Sequence, residues 1–233
     1  MSDIRLNLPK LEGKVIAIDG PAGSGKSTTA KILAARLGYV YLDTGAMYRA
    51  LTHFALANRV AVSDEEKLTM LARKLSIEFE THEDVNRVFI NGADVTKEIR
   101  DPEVTKNVSQ VSAYKGVREA MVAKQTEFGK HGSIVAEGRD TTTVVFTDAD
   151  IKVYLDASVN ERARRRLLEL TKMGVSTNLE EQEADIIRRD GYDSNRAHSP
   201  LSRAHDAIVV DTTNMTIEDQ VDRIISLVKS LIK

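Results

Sequence analysis

The run Gly20-Pro-Ala-Gly-Ser-Gly-Lys-Ser27 combines three glycines, an ammonium and a hydroxyl at the spacing G-x-x-x-x-G-K-[ST]. Gly20, Gly23 and Gly25 permit backbone angles that other residues resist, so the N–H groups of Pro21-flanking residues Ala22 to Ser27 can turn inward around an anion. Lys26 adds a charge able to reach β- and γ-phosphates, and the Ser27 hydroxyl suits Mg²⁺. Thr28 continues into a helix whose positive end faces the same point. The chemistry implied is nucleoside triphosphate binding. Which reaction uses it must be read from other residues.

Three further groups carry charge at informative places. Asp43-Thr-Gly-Ala-Met-Tyr-Arg49 follows a short apolar run, so Asp43, Tyr48 and Arg49 are expected on one rim of a sheet. Glu137-Gly-Arg-Asp140 closes another apolar run, placing Glu137, Gly138, Arg139 and Asp140 on that rim too. Farther on, Glu161-Arg-Ala-Arg-Arg-Arg166 and a helix expected from Leu179 to its end at Arg188-Arg-Asp190, with Asp193 and Arg196 behind, flank a polar segment, Lys172 to Asn178. Helix, polar loop, helix, with arginines turned inward from both sides, is the pattern of a lid.

The elements that must position these residues follow from hydrophobic periodicity. Strands are expected at Val15–Ile18, Tyr39–Leu42, Ser133–Glu137, Ile151–Asp156 and Ala207–Asp211, alternating with helices. That rhythm implies a parallel α/β sheet with its site at the carboxyl ends of the strands. Asp43 or Thr44 can cap a helix towards Asn58. Around Ser63 the pattern changes. Ser63-Asp-Glu-Glu66 reads as a capping box for a helix to about Leu75. Ile77–Glu80 and Arg87–Ile90 alternate like strands, Asn91-Gly92 is a hairpin signal, and Val95 and Ile99 are expected to continue an edge. Residues 63–101 are therefore read as a small antiparallel insertion, with 1–62 and 102–233 forming the core and a lid at about 170–185. Val104, Val108 and Val111 mark a core face with Ser109 and Ser112 at its border. The last helix, Ile217 to Ile232, has Val221, Ile224, Ile225, Val228, Leu231 and Ile232 on its apolar side.

Composition sets limits. The 233 residues, 42% hydrophobic, suffice for a full core. A formal net charge of −2 gives no global field for nucleic acid or membrane, so neither is expected as a partner. The absence of cysteine excludes disulfides, thiolate metal sites and cysteine nucleophiles, and fits a cytoplasmic protein. Met1 to Lys10 contains no run suited to a signal peptide.

Five segments in order resemble the bacterial-type cytidylate kinases, which phosphorylate CMP and dCMP from ATP. They are Ile18 to Thr28; Asp43 to Arg49; Ser109-Gln-Val with Val117-Arg118; Gly138-Arg-Asp140 with Thr143 to Phe146; and Arg189-Asp190 with Asp193, Arg196 and Pro200-Leu201. The resemblance implies a P-loop kinase with a five-stranded parallel sheet flanked by helices, an NMP-binding insertion and a short helical lid. It implies ATP held by residues 20–28 together with Arg162 and Arg166. Arg49 and Arg139 would hold the CMP phosphate, joined by Arg196, while Ser109, Arg118 and Asp140 would read the cytosine edge. Arg189 and Asp193 would stand near the sugar and the transferring group. Lys26, Arg139, Arg189 and Arg196 are the catalytic candidates. Mg²⁺ would bind Ser27 directly and Glu137 through water. A monomer is expected. Two places depart from the family: Glu137 stands where Asp is usual, and Thr141-Thr142 replaces an apolar residue and Gly.

Such a reaction needs no general base, because the attacking phosphate oxygen is already ionised at neutral pH; positioning and charge stabilisation carry it. Two other readings share the P-loop. A kinase for AMP, UMP or a small-molecule hydroxyl would lack the Ser109, Arg118 and Asp140 set. A non-kinase P-loop NTPase would carry no second phosphate pocket.

Overall fold

A computed structural model describes residues 12–82 and 85–231. The Met1 to Lys10 segment and the side chains of Leu231 and Ile232 lie outside the described residues.

Five parallel strands form the main sheet: β1 (Val15–Asp19), β2 (Val40–Asp43), β6 (Ile134–Gly138), β7 (Ile151–Asp156) and β8 (Ile208–Asp211), in the order β2-β6-β1-β7-β8. Side chains alternate between the two faces, and both faces are covered. On one face Ala17, Leu42, Ile134 and Ala136 pack against α2 (Thr44–Ala57), α4 (Pro102–Val111) and α5 (Lys115–Gly129). On the other, Ile16, Ile18, Val135, Val153 and Leu155 meet α1 (Lys26–Leu37) and α8 (Ile217–Leu231). Truncating a fully buried residue here, such as Leu33 to Ala, costs roughly 2–5 kcal/mol. Because β6 inserts between β1 and β2, the chain reverses its direction of travel beside β1. A crevice opens there at the carboxyl ends, where Asp19 lies opposite Gly138 and Asp43 opposite Glu137.

The insertion holds α3 (Glu65–Lys74) and a second, antiparallel sheet of β3 (Ile77–His82), β4 (Val85–Ile90) and β5 (Ala93–Asp94). Asn91 and Gly92 both have positive φ (49° and 82°), as a tight hairpin between β4 and β5 requires. Ile77, Val88, Ile90, Val95 and Ile99 are buried in the same core as α2 and α5, so this sheet has no separate core. Two local expectations change here. The cap of α3 is Asp64, whose carboxylate accepts from Lys67 N–H at 3.0 Å; it reaches the free donor three residues on and leaves no capping box at Ser63. Ile99 lies in a one-turn 3₁₀ helix, Glu98–Arg100, where its side chain can enter the core, and does not extend a strand edge.

Two packed helices, α6 (Val159–Lys172) and α7 (Leu179–Asn195), are joined by a polar turn that lies within the segment 170–185. Asn178 and Glu181 form a reciprocal capping box at the start of α7. α7 does not stop at Asp190 but runs to Asn195, so Arg189, Asp190 and Asp193 share one helix; nothing between 190 and 195 breaks it, and the chain turns extended only at Arg196. No helix of the described residues is long and apolar enough to cross a membrane.

Candidate active site

The P-loop follows β1 directly. A side chain at Gly20 would collide with the carbonyl of Leu155 on the neighbouring strand. Gly25 caps α1 with φ 91°, and a Cβ there would sit 2.7 Å from Gln220 Oε1. Three successive P-loop carbonyls are bound from outside. Ala22 O accepts from Arg162 at 3.1 Å, Gly23 O from Arg165 at 3.4 Å, and Ser24 O from the Thr212 hydroxyl at 2.9 Å. Turning these carbonyls outward directs the N–H groups of the loop inward, which is the arrangement an anion needs.

Inside that ring, Lys26 lies 3.4 Å from Pro21 O and 3.8 Å from Glu137 Oε2. The Ser27 hydroxyl donates to Glu137 Oε1 at 2.6 Å, and Tyr41 OH donates to the same oxygen at 3.3 Å. Burial raises the Glu137 carboxyl above the usual range, and the charge of Asp43 adds to this. Burial likewise pushes Lys26 down to about 7, with the charge of Arg139 contributing. A hydroxyl and a carboxylate in contact are hard oxygen donors that fit Mg²⁺, an ion that takes its other ligands from phosphate and water. Glu137, in place of Asp, still reaches Ser27.

Beside the P-loop lies a cluster of cations. Asp43 caps α2 by accepting from Ala46 N–H at 2.9 Å, and Arg49, one turn on, lies 3.9 Å from the same carboxylate. Arg139 Nε donates to Asp193 at 2.8 Å. Burial opposes the charge of Arg139, but Asp193 more than offsets this and raises its pKa. Arg189, on α7, is pushed down to about 9 by burial and by the charges of Arg139 and Arg49, and its buried Nε has no hydrogen-bond partner. Arg189, lowered by burial and by its arginine neighbours and with an unpartnered Nε, is short of negative charge. A phosphate supplies it.

At the far end of the pocket, Arg118 from α5 pairs with Asp140 and donates to Ser112 O at 3.0 Å, its guanidinium 5.3 Å from the centre of the Tyr48 ring. Ser109 sits in the preceding turn, where its carbonyl accepts from Ser112 Oγ at 3.1 Å. Arg196, expected with the phosphate, stands 3.6 Å from Asp140 and donates to Ser199 O at 2.6 Å. Arg139 and Asp140, adjacent in sequence, therefore take different partners, Asp193 for the first and Arg118 with Arg196 for the second. Burial raises the Tyr48 hydroxyl to about 12.

The arginine-rich helix divides its side chains. Arg162 and Arg165 face the P-loop, while Arg164 and Arg166 lie outward, paired with Glu161 and Glu169. The guanidinium of Arg162 is bound to Ala22 O, Ala157 O and Asp190. Arg165, Thr212 and Gln220 escape a reading of the sequence, although Arg162 and Arg165 are three apart and so share a helix face. Asp19 escapes it as well. Fully buried, it accepts from Thr141 N–H (2.8 Å), Thr142 N–H (2.7 Å) and the Thr142 hydroxyl (2.6 Å).

A sequence profile described as cytidylate kinase matches residues 16–230. The chain is 50% identical over 217 residues to the cytidylate kinase of Geobacillus sp. (strain WCH70), covering 93% of this chain and 97% of that protein. It is 51% identical over 218 residues to the cytidylate kinase of Enterococcus faecalis (strain ATCC 700802 / V583), covering 93% and 96%. Among solved structures, an uncharacterized protein from Eubacterium ventriosum ATCC 27560 superimposes with a TM-score of 0.52 at 12% identity, over 93% of this chain and 99% of that one. The last is a likeness of fold alone.

Proposed function

The chain belongs to the cytidylate kinase family, and from that premise we propose that it transfers the γ-phosphoryl group of ATP to CMP or dCMP. The observation that supports the substrate choice is the buried Arg118–Asp140 pair beside Tyr48 and Arg196. Cytosine presents an amino donor beside two acceptors. Asp140 accepts from the amine, while Arg118 and Ser109 donate to the ring nitrogen or carbonyl.

Each half of the pocket has a defined task in this reading. The inward N–H groups of residues 22–27 and Lys26 hold the donor phosphates. Arg49 and Arg139 hold the acceptor phosphate, and Arg189 meets the charge that shifts during transfer. Asp193, freed when phosphate takes Arg139, would accept from the sugar. Ser27 and Glu137, the latter through water, would hold Mg²⁺, which when bound neutralises charge on the phosphates. Arg162 and Arg165 shape the P-loop from behind. Residues 63–101 serve as the NMP-binding insertion, and the turn at about 170–185 is the lid that closes against water. The protein acts as a cytoplasmic monomer.

A coupled assay with ATP against CMP, dCMP, UMP and AMP tests the reading. Turnover with the two cytidine nucleotides well above the others is expected. Preference for AMP or UMP would overturn the base assignment.

A further inference from the structure

One carboxylate near the site has no part in binding either nucleotide. Asp19 ends β1, one residue before the P-loop, and is wholly buried, as are Thr141 and Thr142. All three of its bonds go to the loop after β6: two backbone N–H groups and one hydroxyl, at 2.6–2.8 Å. That loop starts with Arg139 and Asp140 and then makes a single π-helical turn, Thr141–Val145. Turns of this type give irregular backbone with little intrinsic stability of its own. We propose that Asp19 is a positioning residue for the acceptor nucleotide: its carboxylate fixes the backbone at 141–142 and thereby the directions of Arg139 and Asp140. This rests on the reading of Arg139 and Asp140 as acceptor-binding residues.

The donor side does not depend on the same bonds. The backbone of Asp19 is held in the sheet opposite Gly138 and Tyr154. The P-loop carbonyls are braced by Arg162, Arg165 and Thr212, and α1 is tied to α8 through Thr29 and Gln220 at 2.7 Å. Loosening the Asp19 carboxylate therefore releases the acceptor loop while the phosphate cradle for ATP stays in place. A residue needed only for folding would show no such asymmetry.

Asp19→Asn keeps the volume but turns an amine towards one of the loop N–H donors, leaving that donor unpaired. Loss of a bond to a charged acceptor at a buried site predicts a rise of at least ~10-fold in KM for the acceptor, with KM for ATP within about twofold of wild type. Thr142→Val removes only the hydroxyl and predicts a smaller rise of roughly threefold, which Thr142→Ser restores. Amide hydrogen exchange of residues 139–145, measured without nucleotide, should quicken in Asp19→Asn and to a lesser degree in Thr142→Val. The kinetic comparison uses whichever monophosphate wild type phosphorylates best, so a wrong base assignment alters the substrate and not the test. Equal rises in both KM values, or a lowered melting temperature with both KM values and the exchange of 139–145 unchanged, would overturn the proposal. Thr142→Val retains most of the contacts and decides the matter if Asp19→Asn does not fold.

Discussion

Arg139 and Asp193 meet at 2.8 Å, joining the loop after β6 to helix α7. Arg139 is one of the residues assigned to the acceptor phosphate, so in this arrangement a carboxylate already occupies the place of that anion. Burial alone would raise the Asp193 carboxyl, but the charges of Arg139 and Arg189 hold it below the usual range. In the proposed reading, phosphate binding would exchange one anion for another at a guanidinium that stays paired throughout.

Removing Arg139 has two separable consequences. Arg139→Ala should weaken CMP more than ATP, because truncating one partner of a buried charge pair costs roughly 2–5 kcal/mol. It should also leave Asp193 buried without its main partner. A carboxyl held low in the folded state contributes stability above its unfolded pKa, and this is lost as pH falls through the carboxylate range. The melting-temperature gap between wild type and Arg139→Ala should therefore be widest near neutrality and narrow on acidification. Thermal melts across that range, beside separate KM values, check both. A gap independent of pH would show that the Asp193 pair contributes nothing.

Lys26 makes the second prediction. Its ammonium is placed for charge that moves during transfer and contributes little to packing, so Lys26→Ala should lower turnover at least ~10²-fold while the protein stays folded. Near-normal turnover would refute the P-loop assignment.

The same lysine titrates near neutrality in the free protein, held at about 7 against an ordinary 10.5. Between these values the unfolded chain binds the extra proton, so this group makes the folded protein more stable as pH rises through that window. ATP phosphates restore the ammonium. Binding should therefore take up protons at about pH 8, and ATP affinity should fall as pH rises further. Calorimetry in buffers of different ionisation enthalpy measures the uptake. Heats that do not vary with buffer would contradict it.

What the sequence revealed depended on whether a residue's role is local. The P-loop, the Asp43 cap, the Asn91-Gly92 turn and the alternation of the five parallel strands are set by neighbours within a few residues, and their positions follow from pattern. The bracing of the P-loop is not local. Gln220 lies 191 residues from Thr29, and Asp19 lies 122 from Thr141; no spacing rule connects them. The end of α7 was misplaced because Arg188-Arg-Asp190 looks like a polar stop, whereas Asp190 and Asp193 face Arg162 and Arg139 and continue the helix. Arg196, implied at the phosphate by the family resemblance, donates its Nε to Ser199 O and lies 3.6 Å from Asp140, neighbours that no sequence spacing predicts.

The cap of α3 gives a small test of local reading against structure. Ser63 and Asp64 are both good capping residues, and the bond runs from Lys67 N–H to Asp64. Asp64→Ala should lower the melting temperature measurably and Ser63→Ala should not. The reverse ranking would restore the capping box at Ser63.

Base choice at Asp140 is the most specific prediction. One Asp140 oxygen pairs with Arg118, and the other lies 3.6 Å from Arg196, so the carboxylate is oriented from two sides and nearly fully buried. Asp140→Asn keeps the shape and removes the charge. The new amide can present its NH₂ to the carbonyl of uracil, at the position where cytosine carries an amine. CMP should become the poorer substrate while UMP improves in relative terms. A hydrogen bond to a charged group is worth about 1.5–3 kcal/mol, so the CMP/UMP ratio of kcat/KM should fall by roughly tenfold or more. The substitution also weakens the pairs to Arg118 and Arg196, so a lower melting temperature is expected whichever role Asp140 plays. Only the ratio separates them. A purely structural carboxylate would reduce both substrates alike, leaving the ratio unchanged, and Ser109 with Arg118 would then be the residues that distinguish the bases.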